Sequence, residues 1–522
     1  MIRKRRVLTA AAIAAVVMLL AACGGGARGG TAAAGATGDP VRGGSATVLT
    51  LSEPRTLDPA FGSNNGPGTG LVGNALFGTL LLTDPKTGEI VPSMASGFSS
   101  PDGGRTFDLT LRDGLKFSDG SAFDASAVKT HWDRMKDPAT GSFYQGDAAL
   151  VANIEVTSPT KLKATMVQPV PNFGYSIVTS TLNWIPKAAA VAAGGPAFDA
   201  NPIGAGPYTL KEWRRQDSMV LVRNPNYWDA PRPYLDQLVV RPSVDASQRV
   251  NTMVSGGADI AVESSWANLK KATESNLVTN VQPLSGGNYI ALNTRRAPFD
   301  DIRARTAVAA AFDPQALNVA VFNSAAEQVD SLFNPSSPFR TDDPVGKPDK
   351  ATAQRLFDEL AAEGKPVSFT FTATSASESR ATGEALQAQL SAFKNVSVRV
   401  QVVDYAQVAS LQATHDFDAT VSSAAFLDPE PRLWTAFYGT SRSNMSGIND
   451  PELNAALLQG RTATTVADRK SAYEKVQERL LAEHPNLWTS RNASAAITSK
   501  QVGGVEQYGF GSLRPETLWV QK

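Results

Sequence analysis

The sequence predicts an α/β fold with more than one domain, and three observations carry that prediction. Segments with period-two alternation and segments with period 3.6 follow one another along the chain. The stretch 349–403 reads helix, strand, helix, strand, at lengths suited to a crossover onto one sheet. The chain has 522 residues, and single cores stop growing near about 250–300 residues, so two or three domains are expected.

The elements follow in order. A first strand is expected at 47–51. Phe107, Leu109 and Leu111 alternate over 106–112, Phe117-Ser118-Asp119-Gly120 suits a turn, and 107–120 as a whole suits a strand, a turn and a second short strand capped by Gly120. Asp124 can cap a helix that places Val128, Trp132 and Met135 on one stripe. Residues 161–167 alternate again. Interleaved proline and glycine over 202–207 suit a crossing between domains. A hairpin is expected at 208–222 and another strand at 238–241. Asp349 can cap a helix with Ala353, Leu356, Phe357 and Leu360 on one face, closed near Gly364. Val367, Phe369 and Phe371 then alternate, Leu386, Leu390 and Phe393 mark a helix, and Val396, Val398, Val400 and Val402 alternate again. A long helix over 465–483 carries Tyr473, Val476, Leu480 and Leu481. No internal repeat is visible.

The N-terminus has its own logic. Arg3-Lys4-Arg5-Arg6 is a basic start, and residues 7–22 are apolar and Ala-rich. That stretch is short for a membrane span and suits the apolar region of a signal peptide over 1–22. It ends in Leu20-Ala21-Ala22-Cys23, which resembles the bacterial lipobox at all four positions. Cys23 is the only cysteine, so it has no internal disulfide partner. Lipidation of Cys23 is therefore expected, with Gly-, Ala- and Thr-rich residues 23–44 as a flexible tether. Acyl chains contribute roughly 0.8 kcal/mol per buried methylene. The expected location is the outer face of the bacterial cytoplasmic membrane.

Composition then narrows the function. Acidic and basic residues are equal at 49 each, which gives no electrostatic case for binding nucleic acid. Three histidines, His131, His415 and His484, stand too far apart for metal-ligand spacing and read as structural. No nucleophile elbow and no phosphate-binding lysine loop occurs. Gly68-Thr69-Gly70-Leu71-Val72-Gly73 fits G-x-G-x-x-G, but it follows a loop where a dinucleotide site needs a strand. Asp300-Asp301 and Asp342-Asp343 sit beside turn signals and read as caps or solvated turns. No catalytic residue, cofactor or metal is expected, and a binding protein is more economical than an enzyme.

Several blocks then point one way: Leu57-Asp58-Pro59-Ala60, Leu76-Phe77-Gly78-Thr79-Leu80-Leu81, Val91-Pro92-Ser93-Met94-Ala95, FDLTLRDGLKFSDG at 107–120, NPIGAGPY at 201–208, NPNYW at 224–228 and NTRRAPFDDIRAR at 293–305. Together they resemble the extracytoplasmic solute-binding proteins of ABC importers, family 5, the class with oligopeptide-, dipeptide- and nickel-binding members. The resemblance implies a periplasmic-binding-protein-like, two-lobed, hinged fold with an extra inserted domain. It divides the chain into lobe one at 39–76, 203–295 and 486–522, an inserted domain at 77–202, and lobe two at 296–485. It implies a monomer that hands a peptide or other small solute to permease subunits with their ATPase.

By the same resemblance, peptide-binding members carry an acid in lobe two that pairs with the ligand's α-amine, within a W-x-x-D-Y-like segment. Here that stretch is Ser422-Ser423-Ala424-Ala425-Phe426-Leu427-Asp428-Pro429. Ala425 or Leu427 stands where the acid belongs, and Asp428 is the nearest substitute. Asn64, Asn65, Trp266, Tyr289, Phe426, Trp434 and Trp488 are the other ligand-binding candidates, since aromatics with polar tips suit a pocket for varied ligands. Peptides, di- or oligopeptides, are the expected ligand class. The altered segment leaves a sugar, a metal chelate or haem as the alternative, and a secreted lipoprotein hydrolase stands as the rival from another class.

Overall fold

The structure is a computed structural model, and it describes residues 34–64, 70–85, 87–341, 346–404 and 407–521. Cys23, Asn65 and the Asp342-Asp343 pair lie outside these residues, as does part of the Gly68 to Gly73 motif. The rest of that motif opens the Gly70–Phe77 helix.

Two large sheets build the two lobes. The first has seven strands, in the spatial order Val278–Val281, Ala495–Thr498, Ile260–Glu263, Ser45–Thr50, Gln237–Pro242, Ser218–Arg223 and Tyr208–Arg214. Ser45–Thr50 runs parallel to both of its neighbours. Val48, Leu238, Ile260 and Val262 are buried on one face, and Leu49, Ala261 and Ile497 on the other. Burial on both faces is the condition under which a parallel sheet is stable.

The second sheet has five strands, in the order Val396–Val403, Val367–Thr374, Ala419–Phe426, Ser285–Leu292 and Asn486–Ser490. Val367–Thr374 and Val396–Val403 pair in parallel through the Ser377–Leu390 helix, the crossover that the alternating pattern predicts. Asp349 caps the preceding Lys350–Ala362 helix, accepting from the amides of Ala351 and Thr352.

A four-stranded antiparallel sheet spans Ala95–Ser99, Thr106–Leu111, Lys161–Met166 and Val151–Ser158. The Ala125–Lys136 helix packs on it. Its cap is Asp124, and Val128, Trp132 and Met135 are buried, as their spacing predicts. Trp132 meets Phe173 edge-on at 5.9 Å. His131 is buried in this core with its Nε2 3.1 Å from the Thr181 carbonyl, and burial pushes its pKa down to about 4. The second short strand expected before Gly120 is reduced to one bridge between Lys116 and Ala122.

The chain passes between the lobes at 282–284 and returns at 491–494, which corrects the expected limits at 295 and 486. Ser285–Leu292 pairs with Ala419–Phe426 along its whole length and with Asn486–Ser490 on its other side. Those ladders draw both strands into the second lobe. Gly286 makes this register possible: its φ is +65°, and a Cβ there would lie 1.8 Å from the Ala424 carbonyl oxygen. The two crossings lie side by side, with the Gln282 amide donating to the Ser494 carbonyl at 2.8 Å.

Arg491 stands at the return crossing and is 2% exposed. Its guanidinium donates to the carbonyls of Gly286, Ser331, Leu332 and Phe333 and to the Asp330 carboxylate. No other side chain offers donors in that fork geometry. Replacing it strands several buried carbonyls. Arg491→Leu is expected to lower stability by about 3–5 kcal/mol in urea denaturation, and a loss under about 1 kcal/mol contradicts this role.

Candidate functional site

In sheets with parallel strands, ligands bind outside the carboxyl ends of the strands, where the strand order reverses. Both lobes offer such a point, and the two face each other. In lobe two, Val367–Thr374 pairs with Val396–Val403 over its full length but with Ala419–Phe426 only at Phe371–Ala419 and Thr372–Thr420. Beyond Thr372 the two strands splay. The gap is a crevice of about 470 Å³, lined by Thr374, Glu378, Ser379, Ser422 and Ser423, with Asn288 and Thr489 of the hinge strands.

In lobe one, Ile260–Glu263 delivers Ser264, Ser265 and the Trp266–Glu274 helix to the same place. The turn is held by Glu263, which is fully buried against Arg249 at 2.9 Å and accepts from the amides of Ser264 and Ser265. From lobe one, the Ser265 hydroxyl donates to Glu378 of lobe two at 3.0 Å. Lys270 donates to the Asn323 carbonyl at 3.3 Å. The loop after Ser45–Thr50 forms a separate cavity of about 340 Å³ with Glu53, Arg55, Phe61 and Trp184.

The structure places the predicted residues as follows. Tyr289 lines the crevice. Its ring lies against Phe437 and Trp488, its hydroxyl bonds Ser422, and burial pushes its pKa up to about 12. Trp488 backs Tyr289 from the core and does not line the crevice. Trp266 is a hinge residue: it packs against the cores of both lobes and donates from Nε1 to the Arg491 carbonyl at 2.8 Å. Phe426 is fully buried against Phe333, because its alternation in the strand turns it inward.

Asn64 is corrected to a structural role. Its amide nitrogen donates to the carbonyls of Val178 and Ser180, and its oxygen accepts from Ser512, so its polar atoms are occupied. Asp428 is corrected too. It is buried and takes a bidentate pair from Arg469 at 2.6 and 2.9 Å. A carboxylate already neutralised in this way gains little from a ligand's amine. Trp434 stacks on Tyr438 at 3.6 Å beneath the Arg461 guanidinium, away from the crevice lining.

Ser265, Glu378 and Ser422 are the residues that reading the sequence overlooked. A signal existed for two of them: Ser265 and Glu378 lie just beyond the end of a strand, in a short polar run, whereas Ser422 lies within Ala419–Phe426. Treating such runs as cleft-facing would have found them.

A second polar cluster joins lobe two to the segment 77–202. Burial holds the Asp147 carboxyl up at about 6 against the pull of Arg432 and Arg461. Glu430 is 3% exposed, with Arg461 3.5 Å away, and burial raises it from 4.5 to about 7.

Comparison with known proteins agrees with this architecture. The family model for bacterial extracellular solute-binding proteins, family 5, middle region, matches residues 89–444. The glutathione-binding protein GsiB of Salmonella paratyphi A is 29% identical over 320 residues, which is 61% of this chain and 62% of that protein. The periplasmic binding protein DppA of Helicobacter pylori, solved with the peptide STSA, superposes with a TM-score of 0.78 at 20% identity, covering 92% of this chain and 99% of that one. AgaA of A. tumefaciens R10, solved with agropinic acid, gives 0.76 at 24% identity over 92% and 99%.

The buried acid gives a pH prediction. Glu430 holds its proton more tightly when folded than when unfolded. Its contribution to stability is therefore full below about 4.5 and is lost as pH rises to about 7. Glu430→Gln removes that loss. Thermal unfolding at about pH 5 and about pH 8 is expected to show wild type falling relative to Glu430→Gln at the higher pH. Parallel melting curves contradict it.

Proposed function

Since this chain belongs to the bacterial extracellular solute-binding proteins of family 5, we propose that it captures peptides at the crevice of lobe two, beside lobe one, and delivers them to an ABC permease with its ATPase. The observation that carries this is a crevice at the strand ends of lobe two, beside which Ser265 of lobe one bonds Glu378 of lobe two. Its size, about 470 Å³, suits a small solute or short peptide. The lobes would close about the crossings at 282–284 and 491–494, with 77–202 as an added domain. The named activities of the relatives, glutathione and peptide binding, support the ligand class.

A second reading keeps the importer and changes the ligand. Ala425 and Leu427 leave the end of Ala419–Phe426 without an acid, and Asp428 is bound to Arg469. AgaA, seen with agropinic acid, shows that the fold also accommodates a ligand outside the named peptides. Glutathione, Ser-Thr-Ser-Ala and agropinic acid separate the readings in a thermal-shift panel. Ligand at 100 times Kd adds about 2.7 kcal/mol to stability. A shift with glutathione or the peptide is expected, and a shift with agropinic acid alone removes the peptide reading.

We also propose that a lipid on Cys23 holds the protein, as a monomer, at the outer face of the cytoplasmic membrane. The sequence Leu20-Ala21-Ala22-Cys23 supports it. Cys23→Ser is expected to move the exported protein from the membrane fraction to the soluble one. A variant that stays in the membrane fraction contradicts the anchor.

A further inference from the structure

Another cavity of lobe two lies beside Asn486–Ser490, the strand at the edge of the five-stranded sheet. Its volume is about 440 Å³. The Ile302–Ala311 helix closes one side of it, and the loop that carries Gln328 and Asp330 closes another. Long-range bonds fix these walls. Asn486 pairs with Ala291 in the sheet. The Arg491 amide donates to the Glu327 carbonyl at 2.8 Å, and the Arg491 guanidinium donates to Asp330. Trp488 lines this cavity, and its ring meets Tyr289 of the crevice edge-on at 5.2 Å. The cavity and the crevice therefore share a wall of two rings.

The polar groups of this lining are donors in want of acceptors. Asn486 is 7% exposed, and its Nδ2 is buried with no hydrogen-bond partner in the protein. Gln328 Nε2 is buried and unpartnered in the same way. A buried donor left unmet has lost its hydration and gained nothing for it, and native folds rarely keep one without a use. Lys347 lines the cavity with no acid partner among the described residues. Among those residues the lining holds one carboxylate, Asp330, and Arg340 and Arg491 pair with it. The remaining walls are apolar, with Ala309, Phe312 and Val329 beside Trp488. We infer that this cavity is a second ligand site, for a small carboxylate with an apolar body. The two oxygens of a carboxylate can accept from the two amide nitrogens and take their countercharge from Lys347. The body of such a ligand can lie against Phe312, Val329 and Trp488. A cationic ligand would meet Lys347 and no unpaired acid. What the crevice holds plays no part in this assignment.

The test is isothermal titration of the exported full chain with hydrocinnamate and with hydrocinnamyl alcohol, which keeps the body and lacks the charge. Wild type is expected to bind the acid about tenfold tighter or more, the range of charge-assisted hydrogen bonds. Gln328→Glu sets an anion among the donors at the same side-chain length, and Lys347→Gln removes the cation. Each is expected to weaken the acid about tenfold or more and to leave the alcohol's affinity unchanged. Neither side chain is fully buried, so the melting temperature without ligand is expected to stay the same. Ala309→Leu fills the cavity from the helix and is expected to abolish binding of both probes. Acid binding that either polar variant retains at wild-type strength overturns the assignment. A wild type that binds the two probes alike, or binds neither, overturns it as well.

Discussion

Arg491 holds the two-lobed arrangement together at its narrowest point. A guanidinium at 2% exposure is costly unless its donors are met, and here backbone carbonyls from 286 and 331–333 meet them, with Asp330 at the rim. The same residue's carbonyl accepts from Trp266, which packs on both cores. Four separate stretches of chain therefore converge on one crossing. Hinges built this way bend where the backbone crosses and stay rigid on either side, because the adjoining strands are locked in ladders.

The ladders in turn determine where a ligand can sit. Parallel strands send their carboxyl ends to one edge of a sheet, and the loops that follow form that edge. In lobe one the edge is made rigid by the buried Glu263–Arg249 pair. In lobe two it is opened by the splay after Thr372 and lined by hydroxyls. The crevice is thus a consequence of strand order more than of any single motif. The blocks that carry the family resemblance lie largely elsewhere and act as scaffold. Asp58 pairs with Arg134 at 2.6 Å, Asn224 donates to the Gly206 carbonyl at 2.7 Å, and a Cβ on Gly204 would lie 2.3 Å from the Leu76 carbonyl oxygen.

Charge is arranged with similar economy. Asp428, a buried acid near the lobe interface, is matched by Arg469 in a bidentate ion pair. An ion pair of this kind is costly to break from one side, since the abandoned partner stays buried. This is why Asp428 serves structure, although it lies next to the segment from which a ligand-reading acid is expected.

Much of the fold was legible in local pattern. Asp124 and Asp349 announced their helices through the capping bond, and the valines at 396, 398, 400 and 402 announced a strand through alternation. These signals act between near neighbours, so a linear reading captures them. The ligand side was not legible in that way. Asp428 and Arg469 are 41 positions apart, Ser265 and Glu378 are 113 apart, and Asn64 meets Ser512 across 448. The ordered sequence blocks, through the family they resemble, pointed to a two-lobed binding protein. Only the tertiary structure decided which acids were already spent, because a charge is neutralised by whatever lies beside it in space, at any distance along the chain.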